Sequence, residues 1–153
     1  MTPYDRIASL GLTLPSAPTA AANYVPALLR GNMLYVSGQG PLAPDGTFRT
    51  GKVGRDRSIE EAYDDARLTG LALLAQVHAA VGDLGRVAHV VKVFGMVNAT
   101  DDFQHHPQVI NGCSDLFVAV FGDKGRHPRS AVGMGSLPFG ISVEIEAIFE
   151  IAP

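Results

Sequence analysis

The stretch RSAVGMGSLPFGISVEIEAIFEI, residues 129–151, decides how this chain is read. Its second half alternates: Val143, Ile145, Ala147, Phe149 and Ile151 stand against Ser142, Glu144, Glu146, Ile148 and Glu150. Successive side chains of a strand point to opposite faces, so Ser142–Ile151 is a strand with one apolar face and one mostly polar face. Arg129–Ser136 is a shorter strand, and Leu137-Pro138-Phe139-Gly140 reads as the turn that joins the two into a closing hairpin. Opposed residues of a hairpin share a face. With Ser136 opposite Ile141 and an even loop between them, Arg129 and Glu144 are expected on one face.

Working outward, Val87–Asn98 is almost continuously apolar, broken by His89, Lys92 and Gly95, as a central strand covered on both faces would be. Before it, Ser58-Ile59-Glu60-Glu61 has capping-box spacing, and Ile59, Ala62, Ala66, Leu73, Val77 and Val81 recur at helical intervals until Gly82. A second helix is expected over Pro107–Phe121, with Pro107 suited to its first turn. Two short strands, Tyr24–Leu29 and Met33–Ser37, flank the turn pair Gly31-Asn32, and a short helix covers Pro3–Leu10. The order implies an α+β layer in which one sheet is covered by two helices on one face. The opposite face then leaves Val90, Phe94 and Met96 without cover, which points to self-association. Residues 1–22 read as an N-terminal extension and 23–153 as the domain.

Composition narrows the partners. Hydrophobic residues make up 46% of the 153, which argues against disorder, and only 18% are charged. That is below the roughly 25% of soluble domains and fits a surface partly covered by another chain. The net charge is −3 with no basic run, so no nucleic-acid partner is expected. The single cysteine, Cys113, suits a reducing compartment and a cytoplasmic location. The N-terminus lacks a signal-peptide pattern, and the apolar Leu68–Val81 stretch is interrupted by Gln76 and His78, so no membrane association is expected.

Among residues able to do chemistry, Arg129 stands first. It opens a strand beside Ser130 and Ala131, where a guanidinium can offer a planar fork of donors to a carboxylate; the alternative is a surface arginine paired with a local acid. Glu144 is second, either as an acid–base group near an Arg-bound substrate or as part of a solvated edge with Glu146 and Glu150. Adjacent His105 and His106 lack companions at ligand spacing, and His78 and His89 read as core or interface residues. Glu60, Glu61, Asp64 and Asp65 suit the positive end of a helix dipole better than a metal. Cys113 has no cationic neighbour in sequence to activate it. Gly133-Met134-Gly135 lacks the third glycine and the βαβ context of a dinucleotide loop.

Tyr35-Val36-Ser37-Gly38-Gln39, Arg129-Ser130 and Leu137-Pro138…Val143-Glu144-Ile145-Glu146-Ala147, with Asn23-Tyr24-Val25 and Ile110-Asn111-Gly112 between them, resemble the Rid/YjgF family of reactive-intermediate deaminases, also described as endoribonuclease L-PSP-like. The resemblance implies a chorismate-mutase-like α+β fold with a mixed six-stranded sheet, assembled as a homotrimer with sites in clefts between subunits. It also implies hydrolysis of a 2-imino or enamine acid to a 2-keto acid and ammonia, without metal or organic cofactor. By the same resemblance Arg129 receives the substrate carboxylate and Glu144 positions the attacking water, while Tyr24, Ser37, Gly38, Asn111 and the Ala131 strand line the cleft. Ala131 stands where the family usually has cysteine, Gly133 and Ser136 where it commonly has charge, and Phe121–Pro128 is longer than usual. These departures mark a divergent branch. Two other functions stay open: a non-catalytic trimer that binds a keto acid or similar anion, and a ribonuclease.

Overall fold

The capping box forms as the spacing demands: Ser58 Oγ accepts from the Glu61 amide at 3.1 Å and Glu61 Oε1 accepts from the Ser58 amide at 3.0 Å. Helix α2 therefore runs Ile59–Val81 and stops at Gly82, whose φ of 83° is the left-handed geometry that glycine tolerates. Helix α3, His106–Phe121, lies against it, and small residues set how closely they approach. A Cβ at Gly112 would collide with the Tyr63 carbonyl, and one at Gly70 would press on Leu116 and Cys113.

The computed structural model describes residues 1–153. The strands are β1 (Ala27–Arg30), β2 (Met33–Gln39), β3 (Val87–Asn98), β4 (Arg129–Met134) and β5 (Val143–Ile151). They form one sheet in the order β1-β2-β5-β3-β4. Only β3 and β4 are parallel, as their connection through α3 permits; the other pairs are antiparallel. Phe149, Ile145, Leu34, Val93 and Val97 bury the apolar face of the sheet beneath α2 and α3, which contribute Leu73, Leu74, Ile110 and Phe117.

The expected closing hairpin does not exist. β3 lies between β4 and β5 and pairs with both, so residues 135–142 cross the end of β3 instead of making a tight turn. That end is pinned by polar contacts: Lys52 Nζ donates to Asn98 Oδ1 at 2.8 Å and to the Gly135 carbonyl at 2.9 Å, and Asn98 Nδ2 donates to the Ile141 carbonyl at 3.1 Å. Arg129 is opposite Val93 and Glu144 opposite Met96. Three positions along a strand reverse the face, so Arg129 lies on the helix side and Glu144 on the open side.

Three further expectations change. Val90 is fully buried on the helix side, because register shifts at Val87/His89 and Val90/Lys92 break the simple alternation; Phe94 and Met96 do occupy the open face. The sheet has five strands, not six, since Leu42 to Thr50 makes only single bridges, Leu42 to Phe48 and Thr50 to Ile141. β1 begins at Ala27, after Pro26, which has no N–H to give to a ladder.

Residues 1–22 pack onto this body. Helix α1, Pro3–Ser9, places Ile7 in the core, the Tyr4 hydroxyl accepts from the Leu84 amide at 2.8 Å and pairs with His78 Nδ1 at 2.7 Å, and Gln76 Nε2 donates to the Pro18 carbonyl at 2.6 Å. Asp65, read from sequence as one of four acids facing the helix dipole, is 1% exposed and accepts from Arg57 Nε (2.6 Å), Arg57 Nη2 (2.8 Å) and Ser142 Oγ (2.7 Å). This cluster ties α2 to the start of β5.

Because the Gly112 contact is with backbone, which cannot swing aside, Gly112→Ala is expected to force α2 and α3 apart at a cost of about 3 kcal/mol, in the upper range for overpacking. Urea unfolding of the purified variant measures it.

Candidate functional site

Arg129 opens the edge strand β4 and lies half-buried under the first turns of α3. Its Nη1 donates to Ser114 Oγ at 3.0 Å and its Nη2 to the Pro107 carbonyl at 3.1 Å. No acid pairs with it, so the local-acid alternative fails; the carboxylates that do form ion pairs serve Arg55, Arg57 and Arg67. Two of five guanidinium donors hold the side chain in place, and the others remain for a guest. Arg129 lines a cavity of about 320 Å³ with Asn111, Ser114, Val118, Arg126 and His127. Two arginines and no carboxylate among these residues make the cavity a place for an anion.

The residues behind Arg129 form a chain of hydrogen bonds. His127 Nδ1 lies 2.6 Å from the Gly125 carbonyl, which can only accept, so Nδ1 carries the proton. Nε2 is then the basic lone pair, and it lies 2.9 Å from Ser114 Oγ. Burial lowers the His127 pKa, with Arg129 and His89 acting in the same direction against the Gly125 bond. The ring is thus neutral at neutral pH.

The other expected site residues gather elsewhere. A register shift between Val36 and Gln39 lifts Ser37 and Gly38 out of the β2–β5 ladder, and Gly38 leaves the space into which the Glu144 carboxylate folds. Ser37 Oγ donates to the Val25 carbonyl at 2.8 Å, which ties the exposed Tyr24–Val25 segment to the same place. Burial raises the pKa of Glu144, and neighbouring Glu146 adds to the effect. The sheet therefore divides the expected constellation. Arg129, Asn111 and Ala131 stand on the helix side at the β4 edge, and Glu144, Gly38, Ser37 and Tyr24 on the other side by the β2 bulge.

Residues 4–146 match the family profile "YjgF/chorismate_mutase-like, putative endoribonuclease". The chain belongs to the YjgF/chorismate mutase-like family. Its fold is similar to that of Atu1372 from Agrobacterium tumefaciens, at 46% identity and a TM-score of 0.92, over 99% of this chain and 93% of that one. "Protein TCP17" of Trypanosoma cruzi is 43% identical over 93% of this chain and 89% of its own length. "Putative reactive intermediate deaminase TdcF" of Escherichia coli is 31% identical over 86% of this chain and 89% of its own. A crystal structure of E. coli TdcF with bound serine superposes with a TM-score of 0.61 at 26% identity, over 89% of this chain and 94% of that one.

In this YjgF-family chain the cavity brings Arg129 and Asn111, both candidates from the sequence, together with Ser114, Arg126 and His127, which were not candidates. A usable signal was present. His127 and Arg129 are two residues apart leading into a strand, and Asn111 and Ser114 are one helical turn apart, so each pair shares a side. No helix of the protein is long and apolar enough to cross a membrane.

Two outcomes follow from burial. Cys113 is wholly enclosed, which pushes its thiol pKa up strongly. It is expected to resist alkylation in the native protein and to react once guanidinium unfolds the chain, as mass spectrometry would show. For Glu144, a folded pKa raised above the ordinary 4.5 means that stability falls as pH rises through the interval above that value, because the unfolded chain ionises first. Glu144→Gln removes this cost. Its denaturation midpoint relative to wild type is expected to improve between about pH 4 and pH 7.

Proposed function

We propose that this chain binds a small organic carboxylate on Arg129 and hydrolyses a 2-imino or enamine acid to a 2-keto acid and ammonia. The observation that carries the proposal is an arginine fixed by Ser114 and Pro107, without an acidic partner, on the wall of a cationic cavity. A guanidinium held by neutral groups keeps its charge available, and the preset fork lowers the entropy lost when a carboxylate docks. The likeness to TdcF, named for deamination and seen with an amino acid bound, supports the substrate class. A 2-imino acid already has an electrophilic carbon, so anchoring and water placement suffice, and no step needs a metal or organic cofactor.

The proposal includes self-association as a homotrimer. Glu144 and its companions lie across the sheet from Arg129, so one copy would supply Arg129 with Asn111 and Ala131, and another Glu144 with Tyr24, Ser37 and Gly38. The helix-free face, where Leu28, Tyr35 and Val132 are exposed, is the surface such contacts would cover. A keto-acid-binding module without turnover is the second reading, favoured by the lack of a carboxylate in the cavity. RNA cleavage ranks below both, because the net charge is −3 and the chain carries no basic run to neutralise phosphates.

Freshly generated 2-iminobutanoate or 2-iminopropanoate is expected to release ammonia faster with the protein than in buffer. Arg129→Ala should lower kcat/KM by about 100-fold, equivalent to roughly 3 kcal/mol for losing one partner of a charged contact. Arg129→Lys keeps the charge but not the fork and should recover only part of it. Wild-type protein that does no better than buffer overturns hydrolysis; saturable, Arg129-dependent binding of 2-ketobutyrate in a calorimeter would then establish the binding module.

A further inference from the structure

Hydrolysis on Arg129 as proposed gives Ser114 only the anchoring of the guanidinium and gives His127 no role, although both line the Arg129 cavity. Their valences are nearly filled. The Gly125 carbonyl takes the Nδ1 proton, Nε2 faces the Ser114 hydroxyl at 2.9 Å, and Ser114 Oγ also accepts from Arg129 Nη1 at 3.0 Å. A serine inside a helix commonly donates to a carbonyl one turn back. Ser114 does not; its proton goes to His127, and one Oγ lone pair is left for a water in the cavity. A basic ring nitrogen held in one tautomer by a third group and joined to a hydroxyl has the geometry of an acid–base pair.

We propose that His127, acting through Ser114, is the general acid–base pair for hydrolysis of the Arg129-bound imino acid. This rests on the deaminase reading and adds to it a proton acceptor within the same protomer as the anion anchor. The steps balance. A water in the cavity adds to the carbon of the protonated imine and gives one proton to Ser114 Oγ as the serine proton passes to Nε2; the C=N π pair moves to nitrogen. The imidazolium then returns its proton through Ser114 to the amino nitrogen of the carbinolamine. The C–N bond breaks with its pair on nitrogen, the hydroxyl proton leaves to the departing ammonia, and a 2-keto acid and ammonium ion are the products.

The surroundings suit a ring that begins neutral. Arg129, Arg126 and His89 are the charged or titratable groups around it: His89 Nε2 bonds the Arg126 carbonyl at 2.8 Å, and Arg126 and Arg129 line the same cavity. Phe117 meets the ring edge-on at 5.9 Å. No carboxylate lines the cavity to hold the imidazolium, so the proton is readily handed on. Protonation at Nε2 before substrate arrives removes the acceptor, which predicts an acid limb below the ordinary histidine range of about 6.5.

The test is the pH profile of ammonia release by wild type, His127→Gln and Ser114→Ala with freshly generated 2-iminopropanoate. Glutamine can still donate to Gly125 and accept from Ser114 but cannot carry a proton. His127→Gln should therefore lose at least about 100-fold in kcat and lose the acid limb, with KM changed by less than about threefold. Ser114→Ala, a helix-favouring change, gives the second measure should the first variant not fold, and should lower kcat by about tenfold or more. Wild-type kcat in either folded variant, or an unmoved limb in His127→Gln, overturns the proposal. A wild type without turnover defeats the deaminase reading itself. The pair is then judged by NMR of the His127 ring, where 2-ketobutyrate should perturb the Nε2 titration in wild type but not in Arg129→Ala, and an unperturbed ring overturns it.

Discussion

Along β3, Val93 pairs with Arg129 on one side and with Ala147 on the other, so this strand bonds to both segments that flank the 135–142 crossing. Everything at the candidate site follows from that insertion. Parallel pairing with β3 carries β4 to the edge of the sheet and sets Arg129 under α3, within reach of Ser114 and Pro107. Antiparallel pairing with β2 on one side and β3 on the other holds β5 in the interior, where its apolar residues are buried and Glu144 looks out from the opposite face. Lys52 and Asn98 fasten the crossing by satisfying carbonyls of residues 99, 135 and 141. Buried or half-buried carbonyls without such donors would be costly, so the polar clamp is what allows the chain to pass over the end of β3.

Much of this was legible because local signals and burial agree. The Ser58 cap, the apolar period of α2, the extent of β3 and the alternation of β5 are each written in neighbouring residues. What failed depends on information that neighbours do not carry. Leu137-Pro138-Phe139-Gly140 looks like a hairpin turn, and nothing local says that a strand some forty residues earlier slips between its arms. Phe139 adopts a φ of 58° and Gly140 one of 69°, which fits a tight local bend within a longer crossing. The bulges in β3 defeat parity in the same way. One displaced residue moves Val90 to the buried face, while a count by twos places it with Phe94 and Met96.

Site residues follow the same division. Arg129 stands out by its residue type at the start of a strand, and Asn111 by motif resemblance; neither depends on knowing which strands are neighbours. His127 and Ser114 are thirteen residues apart and meet because the short 3₁₀ turn Gly122–Gly125 folds the chain back beneath α3. Gly125 matters there, since a Cβ would collide with the Phe117 carbonyl, and its own carbonyl fixes the tautomer of His127. The segment read from sequence as an unusually long connection before Arg129 is thus the element that orients the histidine. Length in a connecting segment is weak evidence by itself; what gives it meaning here is a carbonyl placed to accept one particular proton.

The distribution of charge separates stability from function. Arg57 is paired with buried Asp65, Arg55 with the adjacent Asp56, and Arg67 with Asp64 one turn back. Arg126 and Arg129 are among the arginines without one, and they line the same cavity in a chain whose acids outnumber its lysines and arginines, 15 to 12. Cationic groups brought together without counter-ions repel one another; at His127 burial lowers the pKa most, and the Arg129 charge adds to it. A carboxylate guest would relieve that repulsion and would be bound more tightly for it. Across the sheet the imbalance is reversed, with Glu144 destabilised as an anion by burial and further by neighbouring Glu146. Neither half can correct the other within one copy, because moving Glu144 to the helix side would break the ladders of β5 with both β2 and β3. A second copy, by contrast, could bring an open face to a β4 edge without breaking any of those bonds, which is how the proposed shared site would join the two halves.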